Sequence, residues 1–94
     1  MARDSENGRL SAAELSQAAL LTVEELTSHK AESVTGLEWD GECWLVTVDA
    51  LELARIPNSM DVLGSYQVRL DDEGTLRGYR RLRRFRRAQQ DEEE

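Results

Sequence analysis

The sequence predicts an α+β domain, in which one N-terminal helix packs on a mostly antiparallel sheet of three to four strands arranged as two β-hairpins. Apolar residues recur with the helical period over residues 11–29 and alternate with a period of two after residue 34. Two turn sequences interrupt the alternating part. Asp40-Gly41 lies between the strands of the first predicted hairpin, and Asp71–Gly74 lies between those of the second. A chain of 94 residues, of which 39% are hydrophobic, has room for one such domain.

The helix is predicted to begin with a capping box, the sequence SAAE at residues 11–14. In this motif the hydroxyl of Ser11 accepts a hydrogen bond from the amide of Glu14, and the Glu14 carboxylate accepts one from the amide of Ser11. Thr22 and Glu25 repeat the motif, so a break near Thr22 is an alternative to the single helix that we expect. The face expected to pack on the sheet consists of Leu15, Ala19, Thr22 and Leu26.

The first hairpin is predicted from Val34–Trp39 and Glu42–Leu53. The dipeptide between them, Asp40-Gly41, favours a two-residue type I′ turn, because both turn positions need a positive φ. Such a turn places Leu37 opposite Trp44, an aliphatic–aromatic pair that stabilises a sheet. The residues that then share one face of the second strand are Trp44, Val46 and Val48.

The second hairpin is predicted from Val62–Leu70 and Leu76–Leu82. A type I turn at Asp71–Gly74, with its final glycine left-handed as a bulge, sets Leu70 opposite Leu76. Regular alternation from that pair gives a core face that carries Val62, Tyr66, Val68, Leu70, Leu76 and Leu82. The second face carries Leu63, Ser65, Gln67 and Arg69 with Arg77, Tyr79, Arg81, Arg83 and Phe85. The residues expected to be largely buried in the domain are Trp44, Val46, Tyr66, Val68, Leu76 and Leu82.

Charge is unevenly distributed along a chain whose formal net charge is −7. Residues 1–76 hold 15 acids and five bases, residues 77–87 hold seven arginines and no acid, and residues 88–94 hold four acids. We expect residues 10–87 to fold as a single domain, between disordered polar ends at residues 1–9 and 88–94. Cys43 is the only cysteine, and no segment is apolar enough for a signal peptide or a membrane span, so a cytoplasmic location is expected.

Side chains suited to catalysis are scarce. One histidine and one cysteine cannot build a structural zinc site, and the six glycines form no phosphate-binding loop. Cys43 and His29 could form a nucleophilic pair, but a half-buried strand thiol and a histidine at a helix C-terminus explain them more simply. We therefore expect neither an enzyme nor a cofactor nor a metal site.

The arginine-rich sequence YRRLRRFRR, residues 79–87, has three interpretations. In the first, its arginines are neutralised by acids of this chain. In the second they bind another protein, and in the third they bind nucleic acid. The acidic remainder of the chain would repel a phosphate backbone, and membrane attachment would need an amphipathic helix where the pattern indicates a strand. Arginine and aromatic side chains are enriched at protein interfaces. The predicted partner-binding residues are Arg69, Arg77, Tyr79, Arg81, Arg83 and Phe85, with Gln67 alongside.

Residues 41–87, GECWLVTVDALELARIPNSMDVLGSYQVRLDDEGTLRGYRRLRRFRR, resemble the gas vesicle protein O family. In the family pattern a tryptophan-bearing strand ends in Glu and Arg-Ile-Pro. This strand is followed by the pattern Asp-x-Leu-x-x-Tyr-x-Val and then by an Asp-x-x-Gly turn. The family pattern ends with Tyr-x-Arg-x-x-Arg-aromatic-x-Arg. Asp49 and Phe85 stand where Glu and Tyr are commoner. The matching residues are Trp44, Glu52, Arg55, Ile56, Pro57, Asp61, Leu63, Tyr66, Val68, Asp71, Gly74, Tyr79, Arg81, Arg84, Phe85 and Arg87.

The resemblance implies a role in forming gas vesicles, the gas-filled, protein-walled organelles that give microbes buoyancy. It further implies an assembly factor whose partners are the shell proteins and the gas vesicle AAA+ ATPase. A chain this acidic fits that role better than the role of an apolar wall subunit. We expect a non-catalytic assembly adaptor that is cytoplasmic and associated with gas vesicles. The alternative is a small nucleic-acid-binding module that uses the basic stripe Arg77–Arg87.

Overall fold

A computed structural model describes residues 10–88 of the chain as one helix and a four-stranded antiparallel sheet. The strand order β1-β2-β3-β4 follows the sequence, so each strand pairs with its neighbour in the chain and the predicted α+β class is confirmed. The predicted disordered ends, apart from residue 88, lie outside the described residues. The elements are α1 (Ala12–Thr27), β1 (Lys30–Trp39), β2 (Trp44–Leu53), a short 3-10 turn (Asn58–Met60), β3 (Val62–Leu70) and β4 (Leu76–Arg86).

Helix α1 begins at the predicted capping box. The Glu14 amide donates to Ser11 Oγ at 3.1 Å, and the Ser11 amide donates to Glu14 Oε1 at 2.8 Å. The helix runs without a break to Thr27 and ends at Ser28, which adopts the left-handed conformation with φ 65°.

The buried face of α1 differs from the prediction at its C-terminal end. Its fully buried residues are Leu15, Ala19 and Val23, whereas Leu26 is 44% exposed. These three lie at i, i+4 and i+8, the ridge that runs obliquely around a helix. The contact with the sheet follows this ridge, so the predicted stripe through Thr22 and Leu26 was wrong beyond the first two turns.

The first hairpin closes with a four-residue loop, and the predicted two-residue turn was wrong. Trp39 pairs with Trp44, and Leu37 pairs with Val46. Asp40 explains the longer loop, because its Oδ1 accepts the backbone N–H groups of residues 42 and 43, both at 2.8 Å. The register moves by two residues, an even number, so the predicted inward face of β2 is kept.

The core lies between α1 and one side of the sheet. The helix packs chiefly on β1, β2 and β3, which leaves β4 at the edge. Leu76 and Leu82 are exposed, so their predicted burial was wrong, and Trp44 is half-buried with its ring centroid 5.3 Å from that of Trp39. The buried cluster consists of Leu15, Ala19, Val23, Val46, Val48, Ala50, Tyr66, Val68 and Leu70.

The second hairpin begins as predicted and then departs from regular alternation. Leu70 pairs with Leu76, and Gly74 has φ +87°, as its turn requires. Two register shifts follow, because β4 carries an extra residue at Arg77 and another at Leu82. Each β-bulge reverses which side of the sheet the following residues occupy. Strand β4 also continues to Arg86, four residues beyond its predicted end.

Candidate functional site

The two bulges change which residues of the arginine run lie on each side of the sheet. Cross-strand partners lie on the same side, and the β3 residues Tyr66 and Val68 face α1. Tyr79 pairs with Val68 and Arg81 pairs with Tyr66, so both lie on the helix side. The predicted single face of Arg69, Arg77, Tyr79, Arg81, Arg83 and Phe85 is therefore wrong.

On the helix side, two arginines are held by one carboxylate of the same chain. Arg81 Nη1 lies 3.1 Å and Arg84 Nε 3.0 Å from Glu52 Oε1, and the Glu52 side chain is only 4% exposed. The Tyr66 hydroxyl donates to the other oxygen, Oε2. A Cβ at Gly64 would collide with this carboxylate, so glycine makes room for it.

The pKa values of this cluster follow from its contacts. Burial acts to raise the pKa of Glu52, but the Tyr66 hydrogen bond and the charges of Arg84 and Arg81 outweigh it and lower that pKa. Burial and the hydrogen bond to Glu52 raise the pKa of Tyr66 to about 12. The carboxylate therefore stays ionised and the phenol stays a donor at neutral pH.

Arg87 forms a second internal network at the end of β4. Its guanidinium lies 2.9 Å from Glu32 Oε2 and 3.0 Å from Asp61 Oδ2. Asp61 also accepts the backbone N–H of Arg55 at 2.8 Å, and this bond, with the contacts of Arg87, lowers the Asp61 pKa against the effect of burial. Because Glu32 belongs to β1 and Arg87 follows β4, the network joins the two edges of the sheet.

The sheet side away from α1, here called the outer face, divides into a buried half and an accessible half. In the buried half Phe85 is 5% exposed, the Arg83 guanidinium carbon lies 4.4 Å from its ring centroid, and Ser65 donates to Asp49 at 2.6 Å. The accessible half carries Leu45, Thr47, Gln67, Arg69, Gly78 and Arg80.

The accessible half contains an open hollow of about 520 Å³. Within it, Arg69 makes only long contacts, 3.9 Å from Nη2 to Asp40 Oδ2 and 3.8 Å to Cys43 Sγ. Its Nε is buried and has no hydrogen-bond acceptor in the described structure. The lining residues include Asp40, Leu45, Gln67, Arg69, Gly78 and Arg80.

Arg80 and Arg83 are exposed on the outer face, and within residues 10–88 neither forms an ion pair with a carboxylate. Arg77 is the extra residue of the first bulge. The backbone N–H of Thr75, and more weakly the charge of Arg77, lower the pKa of Asp71. Within residues 10–88, the outer face therefore carries two arginine charges of the run that no carboxylate balances.

Of the predicted site residues, Arg69 and Arg83 lie on the outer face with side chains that are not buried, Arg69 at the hollow and Arg83 above Phe85. Phe85 is on that face but buried, and Tyr79 is 43% exposed on the other side. Sequence reasoning missed Gly78 and Arg80, because regular alternation assigned Arg80 to the helix side. In the described part of the chain, no helix has the length and apolar character to cross a membrane.

Comparison with known proteins identifies the family. The family model described as "Gas vesicle synthesis protein GvpO" matches residues 1–91. Gas vesicle protein O of Streptomyces sp. (strain CB03234) is 49% identical over 67 residues, which cover 71% of this chain and 52% of that protein. Gas vesicle protein O1 of Halobacterium salinarum is 33% identical over 70 residues, covering 74% of this chain and 59% of that protein.

A third relative, gas vesicle protein O of Haloferax mediterranei, is 33% identical over 70 residues, covering 73% of this chain and 50% of that protein. The chain thus spans about half the length of the curated relatives it matches. No solved structure matches it. The match over residues 1–91 agrees with the motifs of residues 41–87, and the chain belongs to the gas vesicle synthesis protein GvpO family.

Proposed function

We propose that the chain acts in gas vesicle formation as a non-catalytic assembly adaptor that binds other gas vesicle proteins through its outer face. Membership of the family ties the chain to gas vesicle synthesis. The observation that carries the adaptor proposal is the charge on this face. Arg80 and Arg83 are exposed there and have no carboxylate partner within residues 10–88, whereas Arg81, Arg84 and Arg87 are paired internally.

The partner that this surface suits is an acidic protein. An exposed arginine fork matches the two oxygens of a carboxylate, and charges at such a surface govern association more than folding. Arginine is also enriched among the hot-spot residues that contribute most of the binding energy at protein interfaces. The gas vesicle AAA+ ATPase and the shell proteins are the proposed candidates.

Nucleic-acid binding is the alternative, and the outer face supports it less well. Single strands bind to sheets by stacking bases on exposed aromatic rings. Phe85 is buried beneath Arg83, and Tyr79 lies on the other side of the sheet. A net charge of −7 adds repulsion from a phosphate backbone.

The test is charge reversal at the two unpaired arginines, Arg80→Glu with Arg83→Glu. We expect the variant to stay folded, with a melting temperature only slightly below that of the wild type, because neither residue forms an ion pair within residues 10–88 and only the contact of Arg83 with the Phe85 ring is lost. We also expect loss of gas vesicles in cells and of co-purification with the AAA+ ATPase. Lys30→Glu with Arg55→Glu is the matched control. It changes the net charge equally, at the far edge strand and in the loop after β2, and should leave both readouts intact.

Normal vesicle formation by the Arg80/Arg83 double variant would contradict the adaptor proposal. A salt titration of the wild-type chain against generic DNA decides the alternative. Submicromolar binding at physiological salt, lost in the same double variant, would favour a nucleic-acid-binding module over a protein adaptor.

A further inference from the structure

We propose that the hollow on the outer face is a subsite for one carboxylate side chain, an aspartate or glutamate on an acidic segment of the protein partner. This inference rests on the proposed adaptor function and specifies where the partner is held. Three features carry it, namely the space left by Gly78, the unsatisfied donor of Arg69, and the charge balance of the lining residues.

Gly78 creates the space. It pairs with Arg69 across β3 and β4, so a side chain at position 78 would project from the outer face beside Arg69. A Cβ built there meets no heavy atom within 4 Å, and the backbone of Gly78 is outside the left-handed region that would demand glycine. Neither packing nor backbone conformation requires glycine here. The absence of a side chain keeps the hollow open.

Arg69 supplies a donor that lacks an acceptor. Its Nε is buried and unpaired in the described structure, and a buried donor without an acceptor is costly. Its Nη2 contacts, at 3.8 Å to a thiol sulfur and 3.9 Å to a carboxylate oxygen, are too long to be strong. A carboxylate entering the hollow can accept from this guanidinium and from the neighbouring Arg80.

The charge of the lining suits a single anion. Within residues 10–88, Asp40 is the only acid that lines the hollow, and its Oδ1 is occupied by the backbone N–H groups of the loop. Those bonds, with the charge of Arg69, lower the pKa of Asp40 and keep it ionised. Two arginines against one carboxylate leave one positive charge, which one incoming carboxylate balances.

The form of the hollow indicates a protein ligand. It is open to solvent on one side, so it cannot enclose a small free acid as a closed pocket would. Leu45 provides an apolar wall against which the methylene groups of a glutamate can pack. Affinity must then come from further contacts along the same acidic segment, for which exposed Arg83 is available.

The test fills the hollow without removing a charge. Gly78→Leu is compared with Ala13→Leu, which adds a similar side chain at an exposed position of α1. The probe is a fluorescent peptide of alternating glutamate and valine, and binding is measured by anisotropy at physiological salt. We expect Gly78→Leu to weaken binding at least about tenfold and Ala13→Leu to leave it unchanged.

Two further measurements make the test independent of the folding of Gly78→Leu. Arg80→Gln should weaken binding of the peptide, whereas Lys30→Gln, which removes the same charge at the far edge, should not. In the wild-type chain the NMR signal of the Arg69 Nε–H should shift during titration with the glutamate peptide and stay in place with its glutamine counterpart. Wild-type affinity in Gly78→Leu, or an unmoved Arg69 signal, would overturn the proposed subsite.

Vesicle formation separates this inference from the proposed function. If Gly78→Leu loses peptide binding and gas vesicles, both proposals are supported. If it loses peptide binding while vesicles form normally, the hollow binds carboxylates but does not hold the partner, and the Arg80/Arg83 reversal decides the adaptor function. If it binds the peptide like the wild type, the subsite is wrong, and the Arg80/Arg83 reversal still decides the adaptor function.

Discussion

Glu52 is the residue on which the helix side of β4 depends. Its nearly buried carboxylate accepts hydrogen bonds from Tyr66, Arg81 and Arg84, which belong to two different strands. A buried carboxylate is stable only when such partners satisfy it. Two arginines of the basic run are therefore part of the fold.

The corresponding prediction is that Glu52→Gln destabilises the domain by about 1–3 kcal/mol, the usual cost of losing charge-assisted hydrogen bonds at a buried group. The destabilisation should lie toward the lower end of this range, because the exposed Arg81 and Arg84 side chains can recover hydration when they lose the carboxylate. Urea unfolding measures the change. Glu25→Gln, at an exposed position of α1, is the control and should stay within about 0.5 kcal/mol. Equal effects of the two changes would show that Glu52 carries no special interaction.

Strand β4 shows how an element can contradict simple alternation. The extra residue Leu82 is 42% exposed, whereas Phe85 keeps its predicted side of the sheet but pairs with the buried Leu63 and is only 5% exposed. Regular alternation predicts Leu82 in the core and Phe85 on the exposed face. The two registers therefore make opposite predictions for the same pair of substitutions.

With the bulged register, Phe85→Ala should cost about 3–5 kcal/mol, since it removes a buried aromatic side chain. Leu82→Ala should cost less than about 1 kcal/mol, because the side chain is largely solvated. Chemical denaturation of both variants measures the difference. A larger loss for Leu82→Ala than for Phe85→Ala would restore the unbulged register.

At the scale of the whole molecule, ionised acids tie distant parts of the sheet together. Arg87 joins Glu32 of β1 to Asp61, which precedes β3, and the contacts with Glu32 and Asp61 raise the pKa of Arg87 above its ordinary range. This arginine keeps its charge at every accessible pH. The pH dependence of the network therefore comes from its acids.

Acid should destabilise the domain. The folded state lowers the pKa of four acids, namely Glu52, Asp61, Asp40 and Asp71. Each therefore contributes stability that is fully present above its unfolded-state pKa and is lost as the pH falls through its folded-state pKa. Melting temperatures should be nearly constant near neutral pH and fall below about pH 4.5, the ordinary value for Glu52. The difference between the wild type and Glu52→Gln should shrink in the same range. A difference that grows on acidification would contradict a lowered Glu52 pKa.

Much of the architecture was predictable because its signals are local in the chain. The capping box of Ser11 and Glu14 places the start of α1, and the left-handed Gly74 places the second turn beside the pair Leu70 and Leu76. These features depend on hydrogen bonds and dihedral angles within a few residues. The family was likewise predictable, because its motifs are ordered along residues 41–87 and need no knowledge of side-chain direction.

The sides of Tyr79, Arg80 and Arg81 were decided only by the tertiary structure, whereas Arg83 lies on the side that regular alternation predicts. Arg81 and Arg84 meet Glu52 across 29 and 32 residues of chain, and Arg87 meets Glu32 across 55. The bulge at Arg77 reverses the sides of the residues that follow it, and the bulge at Leu82 restores the predicted sides from Arg83 onward. Spacing within β4 contains no information on the distant acids Glu52 and Glu32. Sequence alone therefore identified a basic strand in a gas vesicle family, and long-range contacts determined which of its arginines are ion-paired within residues 10–88.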